Sequence, residues 1–469
     1  PHNEHFGALV FLRRDSVFSK SCLVSGDGCG RSGHNSFKVG RIAALFIYSY
    51  NQSMRIVADL HIHSPYARAV SKDMTLENLD HWARLKGITV MGTGDFTHPQ
   101  WIKEIKTKLE PAEQGLYKLK GSSSGVRFML TVEISSIYSK GGRGRRVHNL
   151  IFVPSIETAE KINATLGWQG NLKSDGRPIV GVGSKELLKM VLDIDPNCLF
   201  VPAHIWTPWF SLFGSMSGFN SIEECFDEYS KYIYALETGL SSDPAMNWRW
   251  SHLDGRALIS NSDSHSLRRI GREANIFDTD LSYAGIIDAI KSKDPRKFIS
   301  TIEFFPEEGI YHYDGHRSCN IRLTPAETKK LNKICPTCGK PVTVGVMYRV
   351  EELSDRPEGF RPGGAIPFKN MVPLDEIIAE SFGVSSATTK RVQEEYKKLV
   401  GEFGGELSIL FDLSRSALDG KARPEVVEGI MRVREGKLHI EPGYDGLYGK
   451  VKIFEENERK EISRQTSLF

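Results

Sequence analysis

The amino-acid sequence predicts an α/β fold: a seven-stranded (βα) barrel, then a small cysteine-containing domain, then a partly helical C-terminal domain. Three observations lead to this prediction. Strand-like and helix-like segments alternate from residue 55 to about residue 300, two cysteines lie three positions apart at 335 and 338, and helical patterns return after residue 374. The predicted domains span residues 54–303, 304–373 and 374–460, with an extension outside the fold at 1–53 and a tail at 461–469.

The composition is that of an ordinary globular protein. Its 469 residues predict two or three domains, and no apolar run approaches the roughly 20 residues of a membrane helix, so we expect no membrane insertion. The formal net charge of +3 is nearly balanced, so any nucleic-acid binding must come from local basic patches. Seven cysteines without the regular spacing of a disulfide scaffold predict a cytoplasmic location, near the nucleoid in a prokaryote.

Seven apolar runs predict the strands of the barrel. They span residues 55–61, 88–93, 126–134, 147–153, 198–204, 231–237 and 256–262, with helical patterns such as 75–86, 184–193 and 283–292 between them. In (βα) barrels the chemistry lies at the carboxyl ends of the strands. A functional site should therefore show as polar side chains directly after the strands.

Imidazoles and carboxylates do follow five of the seven predicted strands. Period-2 alternation places His61 and His63 on the same side of the first strand end. His148 departs from the rule, because it begins a strand instead of ending one, and we include it for its residue type. The candidate metal ligands are His61, His63, Asp95, Glu133, His148, His204, Asp263 and His265.

This set of side chains indicates a site for more than one metal ion. Imidazole and carboxylate ligands suit zinc, manganese or iron, and eight candidates exceed the needs of one ion. We therefore expect two or three divalent metals, zinc first and manganese or magnesium as alternatives, with Glu133 or Asp263 as a bridging ligand. Two metals about 3.5–4 Å apart are the usual arrangement for phosphoester hydrolysis. The alternative is that each residue caps a strand or is a hydrogen-bonded core histidine.

The motifs that carry these ligands resemble the polymerase and histidinol phosphatase (PHP) domain family. They are Asp59-Leu60-His61-Ile62-His63-Ser64, Thr93-Gly94-Asp95, Val132-Glu133 and Asp263-Ser264-His265, together with His148 and His204. The resemblance covers residue 55 to about residue 300. It implies a distorted seven-stranded barrel that carries up to three metals and hydrolyses phosphoesters. Many members have Thr-Asp-His in the second motif, whereas Phe96 follows Asp95 here, which puts the ligation of one metal in question.

A nearer resemblance continues past the barrel to the end of the chain. Residues 202–210, 236–244 and 348–357 are similar to the endonuclease Q family, a group of DNA repair nucleases that contain a PHP domain. This resemblance implies cleavage of double-stranded DNA on the 5′ side of a deaminated base (hypoxanthine, uracil or xanthine) or of an abasic site.

The cysteine pair predicts a structural zinc site. Cys335 and Cys338 have the spacing of a zinc knuckle, and His316 and Cys319 show the same two-residue gap. Four ligands without an open position are typical of a structural ion, so we expect one zinc that supports a small domain. His312 is the alternative to His316 as the fourth ligand.

An aromatic loop and two basic clusters are candidates for DNA binding. Trp206, Trp209 and Phe210 follow His204 in a loop, where aromatic rings either stack on an extruded base or form a lid packed on the barrel. The basic residues either contact phosphates or form solvated faces. They are Arg143, Arg145 and Arg146 in one cluster and Arg268, Arg269 and Arg272 in the other.

The C-terminal region predicts a helical, DNA-gripping domain and a short recognition peptide. Helical patterns span 374–381, 386–403 and 424–434, and short strands are predicted at 438–440 and 451–454. Gln465, Leu468 and Phe469 resemble a sliding-clamp peptide, with one amide for orientation and two apolar anchors for a groove.

Taken together, these features predict a DNA repair endonuclease that cleaves by metal-activated water. His61, His63, Glu133 and Asp263 would form its catalytic centre. A small-molecule phosphatase acting on a sugar or histidinol phosphate is the first alternative, because the barrel alone would suffice for it. A catalytically idle clamp or DNA-binding adaptor is the second.

Overall fold

A computed structural model describes residues 55–455 and 458, which lie in one compact unit. The predicted extension at 1–53 and the clamp-binding residues Gln465, Leu468 and Phe469 lie outside the described residues.

The strands are numbered here in chain order. They are β1 Arg55–Asp59, β2 Val90–Gly92, β3 Leu109–Pro111, β4 Tyr117–Leu119, β5 Arg127–Lys140, β6 Arg143–Val153, β7 Ile179–Val180, β8 Leu199–Pro202, β9 Ala235–Glu237, β10 Ala257–Ile259, β11 Ala274–Asp278, β12 Phe298–Glu303, β13 Asp314–His316, β14 Ile321–Leu323, β15 Phe368–Asn370, β16 His439–Glu441 and β17 Lys450–Lys452.

Several α-helices begin at a side-chain cap and end at a glycine. In the first helix, the Thr75 hydroxyl accepts a hydrogen bond from the Asn78 amide, and Gly87 ends the helix in the left-handed conformation. They are α1 Leu76–Lys86, α2 Pro99–Lys108, α3 Ile156–Leu166, α4 Ser184–Ile194, α5 Ile222–Phe226, α6 Pro244–Trp248, α7 Tyr283–Ser292, α8 Pro325–Lys330, α9 Val346–Leu353, α10 Leu374–Ser381, α11 Lys390–Phe403, α12 Glu406–Phe411, α13 Arg415–Leu418 and α14 Pro424–Glu435.

The main sheet follows the strand order β15, β12, β11, β1, β2, β5, β4, β3, and β6 joins β5 to β8. The pairs β1–β2 and β2–β5 are parallel, and β9 and β10 form a separate parallel pair. All seven predicted strands are present, as β1, β2, β5, β6, β8, β9 and β10, and the α/β class is confirmed. The closed seven-stranded barrel stays a prediction.

The regular succession of βα units is broken at two places. β5 and β6 form a long antiparallel hairpin whose turn is Gly141 and Gly142, both with positive φ (62° and 73°), the conformation that a two-residue hairpin turn requires. β11 and β12, which were not predicted, pair antiparallel with each other, and β11 also pairs with β1. The hairpin reverses the direction of β6, so the N-terminal half of β6 lies beside the C-terminal half of β5.

The strands of both sheets share one hydrophobic core. Alternate positions of β1 place Ile56 and Ala58 in a buried cluster with side chains of β2, β5, β8, β9 and β10, while Val57 joins a second cluster with α1. Since β1, β2 and β5 run parallel, the predicted ligands after β1 and β2 lie at one edge of the sheet, whereas Glu133 lies within β5, which continues to Lys140.

The C-terminal helices pack in the second cluster, the one that contains Val57 and side chains of α1. Three of them, α10, α11 and α14, match the predicted helices closely, whereas α12 and α13 were not predicted. A buried ion pair joins the two regions, with Nζ of Lys86 2.6 Å from Oε2 of Glu406. The Tyr396 hydroxyl also donates to Glu406 (2.6 Å), so this carboxylate has partners on both sides of the interface.

Candidate metal centre

The first and last ligand motifs of the barrel lie side by side. Ile62 forms an isolated β-bridge with Ser264, and the His63 amide donates to the Ser264 carbonyl (3.1 Å). Asp59 anchors the same loop, because its carboxylate accepts from the amides of Ser262 (3.0 Å) and Gly271 (2.8 Å). Segments about two hundred residues apart in the sequence are therefore in direct contact.

Seven of the eight predicted metal ligands come together in three overlapping groups. Within each group the ligand atoms lie within 4.8 Å of one another. The groups are His61, His63 and Glu133; His63, Asp263 and His265; and Glu133, His148 and His204. Shared members make one continuous cluster, which is the arrangement that a site for several ions needs.

Glu133 lies in the middle of this cluster. Its Oε1 is 2.6 Å from Nδ1 of His148 and 3.0 Å from Nε2 of His204, and its Oε2 is 3.3 Å from Nε2 of His63. His148 reaches Glu133 because β6 runs antiparallel to β5, which brings His148 opposite Ser135. The departure of His148 from the strand-end rule therefore has a topological cause.

The surroundings of His61 fit a metal ion. Its Nδ1 lies 3.0 and 3.1 Å from the two oxygens of Glu237, which fixes the ring, while its Nε2 is buried without a hydrogen-bond partner in the described part of the chain. An imidazole held by a carboxylate on one nitrogen and free on the other is the usual preparation of a metal ligand.

The electrostatics point the same way. Burial lowers the pKa of His61, but Glu237, Asp263 and Glu133 raise it well above its ordinary value. Burial raises the pKa of Glu133, but His148, Arg177 and His61 lower it well below its usual range. Buried carboxylates that remain ionised need cations beside them, so the cluster attracts positive charge.

Asp95 is the predicted ligand that the structure places outside the three groups. Its Oδ1 lies 3.0 Å from Nδ1 of His63, and its Oδ2 accepts from both the amide and the hydroxyl of Ser64 (2.6 Å each). The side chain thus orients His63 from behind, as Glu237 orients His61.

Backbone strain concentrates at the site. Asp95 (φ 46°), His204 (φ 29°) and Asp263 (φ 46°) adopt positive φ values, which non-glycine residues rarely do. Gly94 also has positive φ, and a Cβ there would lie 2.2 Å from the Ile62 carbonyl oxygen. Such strain persists where the surrounding structure enforces it, as at functional sites.

Sequence reasoning missed two residues of the site. Glu237 ends the sixth predicted strand, so the strand-end rule could have found it. Besides His61 it contacts the His204 amide (2.9 Å) and Nδ2 of Asn261 (3.0 Å). Arg177 donates from Nη1 to Oε2 of Glu133 (3.1 Å), and it lies in a loop that carries no motif.

The aromatic residues of the predicted DNA-binding loop divide into buried and exposed ones. Trp206 is buried, donates to Oδ1 of Asn247 (2.8 Å) and packs on Phe213, so it belongs to the core and does not face solvent. The Phe210 ring packs on His148, 4.8 Å between centroids. Trp209 is 39% exposed and lies edge-on to Tyr311. The loop therefore contains packed rings, Trp206 and Phe210, as a lid would, and one exposed ring, Trp209.

A cavity of about 270 Å³ lies beside Trp209. Its lining includes Tyr311, His312 and Thr207, and the Thr207 hydroxyl is 3.2 Å from Nδ1 of His204. The cavity is therefore next to the metal cluster and has an aromatic wall.

The predicted basic residues differ in what they contact. In the hairpin cluster, Arg143 and Arg146 are exposed, whereas Arg145 donates to the Gly218 carbonyl and stacks on Phe219. In the second cluster, Arg268 pairs with Asp375 (2.6 Å) and Arg269 with Glu376 (2.8 Å). Arg272 donates to the Ser262 carbonyl (3.0 and 2.9 Å), next to Asp263. The second cluster therefore joins α10 to the ligand loop and is largely neutralised.

The predicted structural zinc ligands also come together. The ligand atoms of His316, Cys319, Cys335 and Cys338 lie within 4.8 Å of one another, on and after the β13–β14 hairpin. His312, the alternative fourth ligand, lies outside this group and lines the Trp209 cavity. The donor set of one imidazole and three thiols fits a closed zinc site.

Among the described residues, no helix is long and apolar enough to cross a lipid bilayer. This agrees with the absence of a membrane-length apolar run in the sequence.

The fold and the site together define an α/β protein with a multinuclear metal-ligand cluster at its strand ends. Comparisons with known proteins narrow this class. Residues 373–437 match the MJ0043 C-terminal domain family. The chain is 31% identical to the uncharacterized protein YqxK of Bacillus subtilis over 413 residues, which cover 85% of this chain and 99% of YqxK.

Two solved structures are similar over most of the chain. One is the lesion-specific endonuclease PfuEndoQ from Pyrococcus furiosus, with 32% identity, a TM-score of 0.77, and coverage of 86% of this chain and 96% of that one. The other is endonuclease Q in complex with a 27-mer duplex substrate that has an abasic lesion at the active site, with 32% identity, a TM-score of 0.75, and coverage of 86% and 98%. The chain belongs to the endonuclease Q family, and its motifs are consistent with a PHP domain.

Proposed function

We propose that the chain is a DNA repair endonuclease that hydrolyses the phosphodiester on the 5′ side of a deaminated base (hypoxanthine, uracil or xanthine) or an abasic site. The observation that carries this proposal is the convergence of seven imidazole and carboxylate side chains into one cluster. Similarity to a lesion-specific endonuclease over 86% of the chain supports the choice of DNA as the substrate.

The cluster would hold two or three divalent metals, through His61, His63, Glu133, His148, His204, Asp263 and His265. When bound, such metals supply a water of lowered pKa and positive charge against the phosphoryl oxygens. Zinc remains the first candidate, with manganese or magnesium as alternatives. The protein's own contribution is to hold the ligands: Glu237 fixes His61, Asp95 fixes His63, and Glu133 contacts His148 and His204.

The hairpin turn supplies the clearest candidates for phosphate contacts outside the cluster. Arg143 and Arg146 are exposed, and the Arg146 guanidinium lies over the Phe210 ring, 5.5 Å from its centroid. Arg145 would support the hairpin through Phe219. Arg268, Arg269 and Arg272 would act mainly by holding the ligand loop against α10, and phosphates would have to compete with Asp375 and Glu376.

The Trp209 cavity is the proposed place for an extruded base. Its volume of about 270 Å³ leaves room for a base, and Trp209 and Tyr311 offer ring faces or edges beside it. Stacking of one base on one aromatic ring is worth about 1–3 kcal/mol, which offsets part of the cost of unstacking the base in the duplex. Trp206, being buried, would support this wall from behind.

Two further parts of the chain complete the proposal. One structural zinc would be held by His316, Cys319, Cys335 and Cys338. The C-terminal peptide with Gln465, Leu468 and Phe469 would tether the enzyme to a sliding clamp, which raises its effective concentration on DNA.

The test is a nicking assay on end-labelled duplexes with a single uracil, hypoxanthine or abasic position, with zinc, manganese or magnesium added. We expect a cut on the 5′ side of the lesion and none in the undamaged duplex. Asp263→Ala should abolish nicking while DNA binding stays measurable, because Asp263 would be a metal ligand and its side chain, 24% exposed, is not part of the hydrophobic core. Normal nicking by this variant would refute the assignment, and turnover of a sugar phosphate without DNA cleavage would favour a small-molecule phosphatase.

A further inference from the structure

Arg177 brings a guanidinium to the edge of the metal cluster. Its Nη1 donates to Oε2 of Glu133 (3.1 Å), the carboxylate at the centre of the cluster. The Arg177 side chain is 26% exposed, whereas Glu133 is fully buried. Arg177 therefore lies at the edge of the cluster, where the buried ligands meet the solvent.

The loop that carries Arg177 is fixed on both sides. Oδ1 of Asp175 accepts from the amides of Arg68 and Arg177, both at 3.1 Å. The Gly176 amide donates to the Tyr66 carbonyl (3.1 Å), and the Pro178 carbonyl accepts from the Ser135 amide (3.0 Å). Directly after Pro178, β7 pairs with β5. An anchored loop delivers a side chain to a defined place.

Gly176 shows how closely this loop approaches the site. A Cβ at Gly176 would lie 2.4 Å from Oδ2 of Asp95, the residue that orients His63. Only a glycine allows the loop to pass there, so the approach of the loop to the ligands is built into the sequence at this position.

The guanidinium has donors to spare. Among the described residues it makes one hydrogen bond, to Glu133, and a guanidinium has five N–H donors in a planar fork. Glu133 already has imidazole partners in His63, His148 and His204. A fork of this kind matches the geometry of phosphate oxygens better than any other side chain.

We propose that Arg177 binds a non-bridging oxygen of the scissile phosphate and stabilises the negative charge that develops there in the transition state. The inference rests on the proposed function, because it assumes that the substrate is a phosphodiester. It makes Arg177 a catalytic residue that no sequence motif marks. The competing role is purely structural, in which Arg177 only balances the charge of Glu133.

The experiment compares Arg177→Gln and Arg177→Lys with Lys173→Gln, a matched loss of positive charge at an exposed position of the same loop. The first measurement is the single-turnover rate on an abasic duplex at saturating enzyme. Loss of one transition-state donor is expected to slow the reaction by about 10²–10³-fold in Arg177→Gln, and Lys should recover only part of the rate because it lacks the fork. Lys173→Gln should react at the wild-type rate.

The second measurement separates the two roles. Elemental analysis should find the same metal content in Arg177→Gln as in the wild type, and binding of inorganic phosphate by calorimetry should weaken at least about tenfold. A purely structural role would lower the metal content together with the rate and leave phosphate affinity per loaded site unchanged. That result, or a rate within about threefold of the wild type, would overturn the inference.

A small phosphodiester distinguishes failure of this inference from failure of the proposed function. If the wild type cuts no lesion-containing DNA but hydrolyses bis(p-nitrophenyl) phosphate or binds phosphate through Arg177, only the proposed substrate is wrong. If phosphate binding and hydrolysis do not depend on Arg177, the inference is wrong, whatever the substrate is.

Discussion

The two candidate metal sites of this chain are held in place in different ways. The barrel cluster takes its ligands from residues 61 to 265, and His61, His63 and Glu133 are at most 1% exposed within a large core. The zinc module takes its ligands from residues 316 to 338, and its buried apolar cluster consists of Leu323, Cys335 and Val342. The ligands of the barrel cluster are thus positioned by a large hydrophobic core, whereas we expect the module to depend on a bound ion for folding.

The two sites also differ in the side chains that contact their ligands. In the barrel, carboxylates of Glu237 and Asp95 hold the far nitrogens of His61 and His63. In the module, Cys338 is exposed, and its sulfur lies 3.4 Å from Nδ1 of His316. We expect a site whose ligands are held by neighbouring carboxylates to keep its geometry when the ion leaves. We expect a site built from short loops to lose it.

Removal of all metals with a chelator is the strongest test of this difference between the two sites. We expect the module to lose its structure, with hydrogen exchange becoming fast across residues 314–342, while the strands β1, β2 and β5 keep their protection. The reason is that Leu323 and Val342, the buried apolar side chains of the module besides the predicted ligand Cys335, cannot offset the entropy of ordering it, whereas the core around β1, β2 and β5 is much larger. Hydrogen exchange read by mass spectrometry measures both regions in one sample.

Cys335→Ser should reproduce the module's behaviour in the presence of metals, with one zinc fewer per chain. Cys225→Ala is the control, because Cys225 is a buried cysteine of the barrel region outside both ligand sets, and this variant should keep its full zinc content. A module that stays protected after chelation, or a barrel that unfolds with it, would contradict the distinction drawn between the two sites.

Asp95→Asn tests whether Asp95 supports a ligand of the barrel cluster or is a ligand itself. If Asp95 only orients His63, the variant should bind the same number of metals with an affinity lowered by about 10–100-fold, the usual cost of losing such a supporting contact. Titration of the metal-free protein against a competing chelator gives both affinity and stoichiometry. Binding of one metal fewer at saturating concentrations would show that Asp95 is a ligand after all, as the sequence predicts.

Local patterns in the sequence were sufficient for the ligands that follow strands. His61 and His63 were found from period-2 alternation, and Cys335 and Cys338 from spacing alone, since both signals need only a few neighbouring residues. Glu237 followed the same strand-end rule and was overlooked. Arg177 could not have been found in this way, because its position depends on the contacts of Asp175 and Gly176 with Arg68 and Asp95, more than 75 residues away.

The topology was predictable only in part, for a similar reason. The apolar runs identify the seven strands, but direction depends on the connections. The glycine pair at 141 and 142 between two strand-like runs is a hairpin signal, and the hairpin places His148, in the middle of β6, opposite Ser135 of β5. The pairing of Arg268 and Arg269 with Asp375 and Glu376 had no local signal, since it depends on how the C-terminal helices pack against the barrel.

The last prediction concerns two buried glutamates with opposite behaviour. Imidazoles and Arg177 lower the pKa of Glu133 despite its burial, whereas burial raises the pKa of Glu303 to about 8, with the Thr238 hydroxyl donating to it (2.9 Å). Folded Glu303 keeps a proton that the unfolded chain has lost above about pH 4.5. Its contribution to stability is therefore complete below pH 4.5 and is lost as the pH rises towards 8, by up to about 1.4 kcal/mol per pH unit.

Glu303→Gln replaces the protonated carboxyl with a neutral group of the same shape, so its unfolding free energy should fall less steeply than that of the wild type between pH 5 and pH 8. Urea unfolding of the metal-loaded protein at several pH values measures this difference. Glu110→Gln, a change at a partly exposed glutamate whose side chain is 42% accessible, should leave the wild-type slope unaltered. Parallel pH curves for Glu303→Gln and the wild type would mean that Glu303 is ionised in the folded chain. In that case a buried carboxylate of this chain would need no imidazole beside it to stay charged, and the ionised state of Glu133 would not indicate a cation site.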